Sequence, residues 1–222
     1  MILIETSKTG HPVIRKNGRL LDSSIDPIRE AMTYFKRLDE SRRFRRGSCE
    51  QLIILGLGSG YQVLEMHKQV KSIPILVIEN DQELVERVIL GQPGLNAAEL
   101  KICVETDWTK LSLNPDFRDA VVNVYDIFVH GPSTQLEPEF YQGVESLLRG
   151  RDKLSFLHLL KTRPELLALF DSKAIENFGK QPIGLDKVGE AVGLEQICGL
   201  FHENSRMSRE RRLWRALEEL IT

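Results

Sequence analysis

The sequence has few of the features that mark secreted, membrane-spanning or metal-binding chains. Its three cysteines, Cys49, Cys103 and Cys198, are odd in number and widely spaced, so they form neither a disulfide framework nor a metal-ligand pattern. No apolar run approaches the length of a bilayer span, and Glu5 and Lys8 interrupt the apolar N-terminus too early for a secretory signal. We therefore expect a cytoplasmic protein without a membrane partner or a bound metal.

Charge of one sign is also lacking, since the 30 basic and 32 acidic residues leave a net charge of −2. Such a balance gives no general attraction to nucleic acid or anionic membrane. Two local arginine clusters are most simply solvated parts of helices. The alternative is phosphate or nucleic-acid contact for the first cluster and phosphate or partner contact for the second. The two clusters comprise Arg42, Arg43, Arg45, Arg46, Arg206, Arg209, Arg211, Arg212 and Arg215.

The chain has no repeat or low-complexity tract, and its 222 residues suit one α/β domain with an appendage. Four apolar segments, separated by helical patterns, predict a mostly parallel sheet of the Rossmann-like type. They are residues 52–57, 73–78, 101–104 and 125–130.

A short N-terminal hairpin is predicted ahead of this sheet, with a turn at Asn17-Gly18. Asp26-Pro27 then opens a helix as cap and first residue. Five of its residues recur at helical spacing and should face the core: Ile28, Ala31, Met32, Phe35 and Leu38.

The C-terminal part of the chain is predicted to be helical. We place a Rossmann-like domain at residues 1–150 and a helical appendage at 151–222, with helices at 154–161, 164–178 and 208–221. The appendage is our candidate for homo-oligomer contacts.

A glycine-rich turn joins the first strand of the sheet to the next helix. Gly56, Gly58 and Gly60 allow a tight turn, so that backbone N–H groups, with Ser59 among them, can approach a ligand at a helix N-terminus. Glu79 ends the second strand, where an acid can accept hydrogen bonds from ribose hydroxyl groups. The alternative for Glu79 is a solvated helix cap.

Three further residues follow later strands. Asp107 and Trp108 could bind and stack a purine, although Asp107 could equally cap the next helix. His130 could act as a general base near neutral pH, or it could lie under the loop, held by a backbone carbonyl group. Ser133 lies in no nucleophile elbow, which argues against a serine hydrolase.

The glycine turn, Glu79 and Asp107 resemble the cofactor elements of class I S-adenosylmethionine methyltransferases. Residues 125–129 and 130–133 resemble the fourth strand and catalytic loop of that family. This resemblance implies S-adenosylmethionine as cofactor and transfer of a methyl group to a small molecule.

A second resemblance covers about residues 18–150. Residues 20–31 are similar to the "hSxydPxxEA" segment of motility accessory factor proteins, which comprise flagellin glycosyltransferases and relatives described as 6-hydroxymethylpterin pyrophosphokinase-like. Residues 55–61, 77–79, 127–133 and 138–141 follow in that family's order. The resemblance implies kinship with its N-terminal Rossmann-like module.

Three functions follow from these patterns. The first is a module that binds a nucleoside, nucleotide or nucleotide sugar and is related to motility accessory factor proteins, with or without catalysis of its own. The second is a small-molecule methyltransferase that uses S-adenosylmethionine. The third is a scaffold or assembly protein.

Overall fold

The computed structural model describes residues 1–40, 49–97, 100–121, 123 and 125–149. The chain divides into two compact units, Met1–Gln142 and Gly143–Thr222. The predicted boundary at residue 150, the helices predicted at 154–161, 164–178 and 208–221, and both arginine clusters lie outside the described residues. Those predictions stay as they are.

A small antiparallel sheet begins the first unit. Strand β1 (Ile2–Thr6) pairs with β2 (Pro12–Lys16), which pairs with the two-residue strand β3 (Arg19–Leu20). Asn17 and Gly18 connect β2 to β3 with φ values of 50° and 81°. Positive φ at both positions suits the turns that match strand twist, so the predicted Asn-Gly turn is confirmed.

A four-stranded parallel sheet forms the centre of the unit, as the alternation of strands and helices predicts. Its strands lie in the order β6-β5-β4-β7. Every residue of β4 and β5, the two inner strands, is buried, which explains their uninterrupted apolar sequences. The strands are β4 (Gln51–Leu55), β5 (Ile75–Glu79), β6 (Leu100–Val104) and β7 (Tyr125–Val129).

Helices connect these strands, and side-chain caps fix where two of them begin. Asp26 Oδ1 accepts a hydrogen bond of 2.9 Å from Arg29 N, which confirms the predicted start of α1, and Asp81 caps α3 through Leu84 N at 3.1 Å. The helices are α1 (Pro27–Glu40), α2 (Tyr61–Gln69), α3 (Gln82–Gly91), α4 (Pro93–Ala97), α5 (Pro115–Val121), α6 (Gly131–Leu136), α7 (Pro138–Arg149) and the 3-10 helix Trp108–Leu113.

The predicted core face of α1 is partly wrong. Ala31 and Phe35 are buried, but Ile28 and Met32 are 40% and 50% exposed. Each helical residue is turned by about 100° from the one before it, which places Ile28 and Met32 on the flank beside the Ala31–Phe35 face. Leu38 is partly buried and packs against the same core cluster, so the predicted face reaches the core through Ala31, Phe35 and Leu38.

The core joins the two sheets. Ile2, Ile14 and Leu21 from the N-terminal segment pack in the same buried cluster as Leu52 of β4 and Val77 of β5. Burial of these side chains away from water is the main favourable term that holds the N-terminal sheet against the parallel one. Among the described helices, none combines the length and apolarity needed to cross a membrane.

Candidate functional site

The candidate site lies at the carboxyl ends of the parallel strands. The chain runs from β4 to β5 and β6 on one side, and β7 lies on the other side of β4. Ligands of open α/β sheets bind at such a switch point, between neighbouring strands whose connections leave in opposite directions. Here that point lies between Gly56, which follows β4, and His130, which follows β7.

Residues 56–60, which we call the glycine loop, have the backbone geometry that the sequence predicts. Gly56, Gly58 and Gly60 have φ values of 88°, 59° and 88°. A Cβ atom on Gly58 would lie 2.5 Å from His130 Cε1, and one on Gly56 would lie 2.5 Å from Ser133 Cβ. The absent side chains therefore let the protein's own residues approach the loop.

Glu79 binds the glycine loop from the neighbouring strand. Its Oε2 accepts a hydrogen bond from Leu57 N and its Oε1 accepts one from Asn80 N, both at 2.9 Å. The side chain is 1% exposed, so Glu79 is not a solvated helix cap. Burial raises the pKa of Glu79, and the two backbone donors and the nearby Lys16 charge oppose this rise only in part. Contact between Glu79 and a ribose stays a prediction.

Asp22 occupies the other side of the loop, and sequence reasoning missed its role. Asp22 Oδ2 accepts a hydrogen bond of 2.6 Å from Ser59 N. Burial alone would raise the pKa of this carboxyl group, but the nearby His130 and the donors of Ser59 outweigh it and lower the pKa. The one available signal was its position in residues 20–31, the first segment of the motility accessory factor resemblance.

Ser59 is held by the N-terminal sheet as well. Its Oγ accepts a hydrogen bond of 2.9 Å from Ile14 N of β2, and the residue is buried. The predicted cofactor-binding serine thus joins the glycine loop to the N-terminal sheet. Tyr61, at the start of α2, adds a second connection by donating its hydroxyl hydrogen to Pro12 O at 2.7 Å.

His130 lies under the glycine loop and caps the short helix α6. Its Nδ1 accepts a hydrogen bond of 3.3 Å from Ser133 N and lies 2.7 Å from Ser133 Oγ. Because Nδ1 accepts the amide hydrogen, the proton of the neutral ring belongs on Nε2, which lies 3.6 Å from Asp22 Oδ1. The ring is thus under the loop, as one alternative expected, with Ser133 in place of a carbonyl group.

The three residue types of a catalytic triad meet here, in Ser133, His130 and Asp22. Sequence spacing did not reveal this grouping. Their geometry is not that of a nucleophile at a cleft, because Ser133 is 4% exposed and its Cβ lies against Gly56. The hydroxyl group instead stabilises the cap of α6. These contacts do not support serine hydrolase chemistry.

Asp107 and Trp108 lie beyond β6, at the same edge of the sheet. Asp107 Oδ1 accepts hydrogen bonds from Thr109 N at 3.0 Å and Thr109 Oγ1 at 2.7 Å. These bonds make Asp107 the cap of the 3-10 helix, which Trp108 begins. Asp107 therefore makes the contacts of a helix cap, which was the alternative prediction. Stacking of a purine on Trp108 stays a prediction.

The space beside Glu79 is small. The side chains leave essentially no volume there for a water-sized molecule, whereas sites for small molecules usually measure about 300–1,000 Å³. Lys16 lines this space, and its Nζ pairs with Asp81 Oδ2 at 2.9 Å. The other residues that line it include Leu21, Asn80, Leu84, Ser133 and Leu136.

Some polar groups at this edge lack hydrogen-bond partners although they are buried. They include Asn80 Oδ1 and His130 Nε2. Unpartnered buried polar atoms are uncommon in folded proteins and call for an explanation. In the part of the chain that the structure describes, no group of three or more His, Cys, Asp or Glu side chains is placed to hold a metal ion.

Comparisons with known proteins leave the fold and these contacts as the basis for any functional conclusion. Neither a protein-family model, nor a curated protein, nor a solved structure matches this chain.

Proposed function

We propose that this chain is a non-catalytic Rossmann-like module, related to the N-terminal region of the motility accessory factor proteins that accompany flagellin glycosylation. One observation carries the proposal. Asp22, Ser59 and His130 come from three separate segments of that resemblance, and they meet in one buried cluster. A shared cluster gives a physical reason for these segments to occur together in one chain.

The burial of His130 supports the absence of catalysis. His130 is the one general base that the sequence predicts, and it is 2% exposed with Nδ1 occupied by Ser133. A general base must come within hydrogen-bond distance of the proton that it removes. In this conformation a substrate has no route to either ring nitrogen, because the glycine loop and Asp22 cover the ring.

A second candidate function is binding of a nucleoside-type ligand, either a nucleotide, a nucleotide sugar or S-adenosylmethionine. The observation that favours it is the group of unpartnered buried polar atoms at the strand ends, Asn80 Oδ1 and His130 Nε2 among them. Because the space beside Glu79 has essentially no room for a water-sized molecule, binding there would require the side chains that line it to move apart.

A thermal-shift panel separates these functions, since a ligand of the native state must stabilise it. The panel holds nucleoside mono- and diphosphates, nucleotide sugars, S-adenosylmethionine and S-adenosylhomocysteine. We expect no shift in melting temperature from any of them. A shift that Glu79→Ala weakens would support the second candidate, with the nucleotide or the methyl donor identified by which compound acts.

Catalysis is tested separately with labelled donors. Incubation of the chain with a labelled nucleotide sugar and flagellin, or with labelled S-adenosylmethionine and a panel of small acceptors, should leave both donors intact. Turnover that disappears in His130→Ala would overturn the proposal. If no ligand binds and deletion of residues 185–222 changes the oligomeric state, an assembly role is supported.

A further inference from the structure

The carboxylate group of Asp22 contacts the glycine loop in the way that a bound anion would. Ser59 N lies at the start of α2, just ahead of the cap residue Gly60, and donates to Asp22 Oδ2 at 2.6 Å. The partial positive charge at a helix N-terminus favours a negatively charged group close to it. Asp22 therefore lies where an external anion would bind.

A second donor points to the same position. His130 Nε2 is buried, has no hydrogen-bond partner and lies 3.6 Å from Asp22 Oδ1. A Cβ on Gly58 would come within 2.7 Å of this nitrogen, so only glycine at residue 58 lets the ring reach the loop. Because Nδ1 accepts from Ser133 N, the proton of the neutral ring belongs on Nε2, and the 3.6 Å to Asp22 Oδ1 is longer than a normal hydrogen bond.

We propose that Ser59 N and His130 Nε2 form a carboxylate-sized anion site, and that Asp22 is its intramolecular ligand, which closes the site to external anions. The proposal rests only on the contacts of Asp22, and it stands whether or not the module is related to motility accessory factor proteins. The ligand class is a small carboxylate, either free or as part of a larger molecule that displaces the Asp22 side chain.

Asp22→Ala tests this by removing the intramolecular carboxylate while leaving both donors in place. The probe is sodium formate, compared with sodium chloride at equal ionic strength, and the readout is unfolding by urea at neutral pH. We expect formate to lower the unfolding equilibrium constant of Asp22→Ala about tenfold at nine times its dissociation constant. Wild-type protein should respond to the two salts equally.

Two matched variants define the specificity of the effect. Asp22→Asn keeps an oxygen for Ser59 N and fills the space, so formate should not stabilise it more than chloride does. Asp26→Ala removes a carboxylate that caps α1 and contacts no histidine in the described structure, and it should also respond to both salts equally. A double variant, Asp22→Ala with His130→Phe, should lose the formate effect of Asp22→Ala.

Other results of these experiments would overturn the proposal. If folded Asp22→Ala is stabilised equally by formate and chloride, or by phosphate and not by formate, a carboxylate-sized site does not exist. Should Asp22→Ala fail to fold in chloride, its circular dichroism is measured in formate and in acetate. Recovery of native signal in either carboxylate supports the proposal, and failure in both, with Asp22→Ser also showing no response, overturns it.

Discussion

Gly58 shows at residue scale how closely the loop and its neighbours are packed. Its φ is 59°, and a Cβ there would lie 2.5 Å from His130 Cε1. An alanine in the left-handed conformation costs about 1–2 kcal/mol, and overpacking a buried site adds about 1–3 kcal/mol. We therefore expect Gly58→Ala to lower the free energy of unfolding by about 2–5 kcal/mol, as measured by urea denaturation.

Gly18→Ala is the matched control for that prediction. Gly18 has a φ of 81°, and a Cβ there would meet nothing within 4 Å. It should therefore show only the backbone cost of about 1–2 kcal/mol. Equal losses in the two variants would mean that the His130 ring moves away from the loop without cost.

Asp22 and Glu79 should give opposite pH dependences. The folded-state pKa of Asp22 is lowered, so its stabilising contribution is present above its unfolded value near 3.8 and is lost as pH falls through the folded pKa. The pKa of Glu79 is raised, so wild-type stability is lost as pH rises from its unfolded value near 4.5 through the folded pKa.

Urea denaturation of Asp22→Asn and Glu79→Gln, each compared with wild type at pH 3 to 8, tests these signs. We expect Asp22→Asn to cost about 1–3 kcal/mol at pH 7, since a buried donor loses a charged partner, and less below pH 4. The stability advantage of wild type over Glu79→Gln should instead grow as pH falls toward 4.5. Parallel pH profiles would contradict both assignments.

Cys103 should be an unreactive thiol. Burial, with the charges of Glu105 and Asp116, raises its pKa to about 12. At pH 8 its thiolate fraction is then about a thousandfold below that of a thiol with an ordinary pKa, and only the thiolate reacts. In a Cys198→Ser chain, native protein should react with a thiol reagent far more slowly than urea-unfolded protein. One equivalent of fast-reacting thiol, traced to Cys103 by peptide mapping, would contradict this.

At the scale of elements, an ion pair between the buried Lys16 and the partly exposed Asp81 joins the N-terminal sheet to α3. Lys16 Nζ of β2 lies 2.9 Å from Asp81 Oδ2, and Asp81 also caps α3. Asp81→Ala should therefore cost more than a lost cap alone, because the buried Lys16 charge then depends on Glu137 Oε1 at 3.6 Å and α3 also loses its cap. Asp26→Ala removes only a cap and should cost about 1 kcal/mol in the same denaturation experiment.

Replacing the lysine tests the cause of that difference. Lys16→Met in the Asp81→Ala background removes the poorly paired charge, so the double variant should be more stable than Asp81→Ala alone. If the double variant is less stable, packing of the lysine stem, rather than its charge, determines the effect.

The elements themselves were largely predictable from the sequence, and their contacts at the site were not. Apolar runs and the Asn17-Gly18 turn identify strands because both signals are local. The bond from Ser59 N to Asp22 joins positions 37 apart, and no periodicity relates an aspartate in a loop to an amide on another element. Local patterns therefore predicted the glycine loop but could not predict that the chain supplies its carboxylate.

At the scale of the first unit, one core should give one cooperative unfolding event. Ile14 of β2 and Leu52 of β4 belong to the same buried cluster. We expect the Ile14 amide, bonded to Ser59 Oγ, and the Leu52 amide, bonded to Pro74 O, to exchange with opening free energies within about 1 kcal/mol. Hydrogen exchange followed by NMR measures both. Rapid exchange at Ile14 with Leu52 still protected would show that the N-terminal sheet opens alone.

The bond between Arg19 and Gln135 joins positions 116 apart and implies an order of events during synthesis. A ribosome that adds about 5–20 residues per second releases the N-terminal strands on the order of ten seconds before their last partners. Until then Leu21 and Ile14 have no complete surface on which to be buried. The nascent chain thus exposes an apolar segment to solvent for that interval.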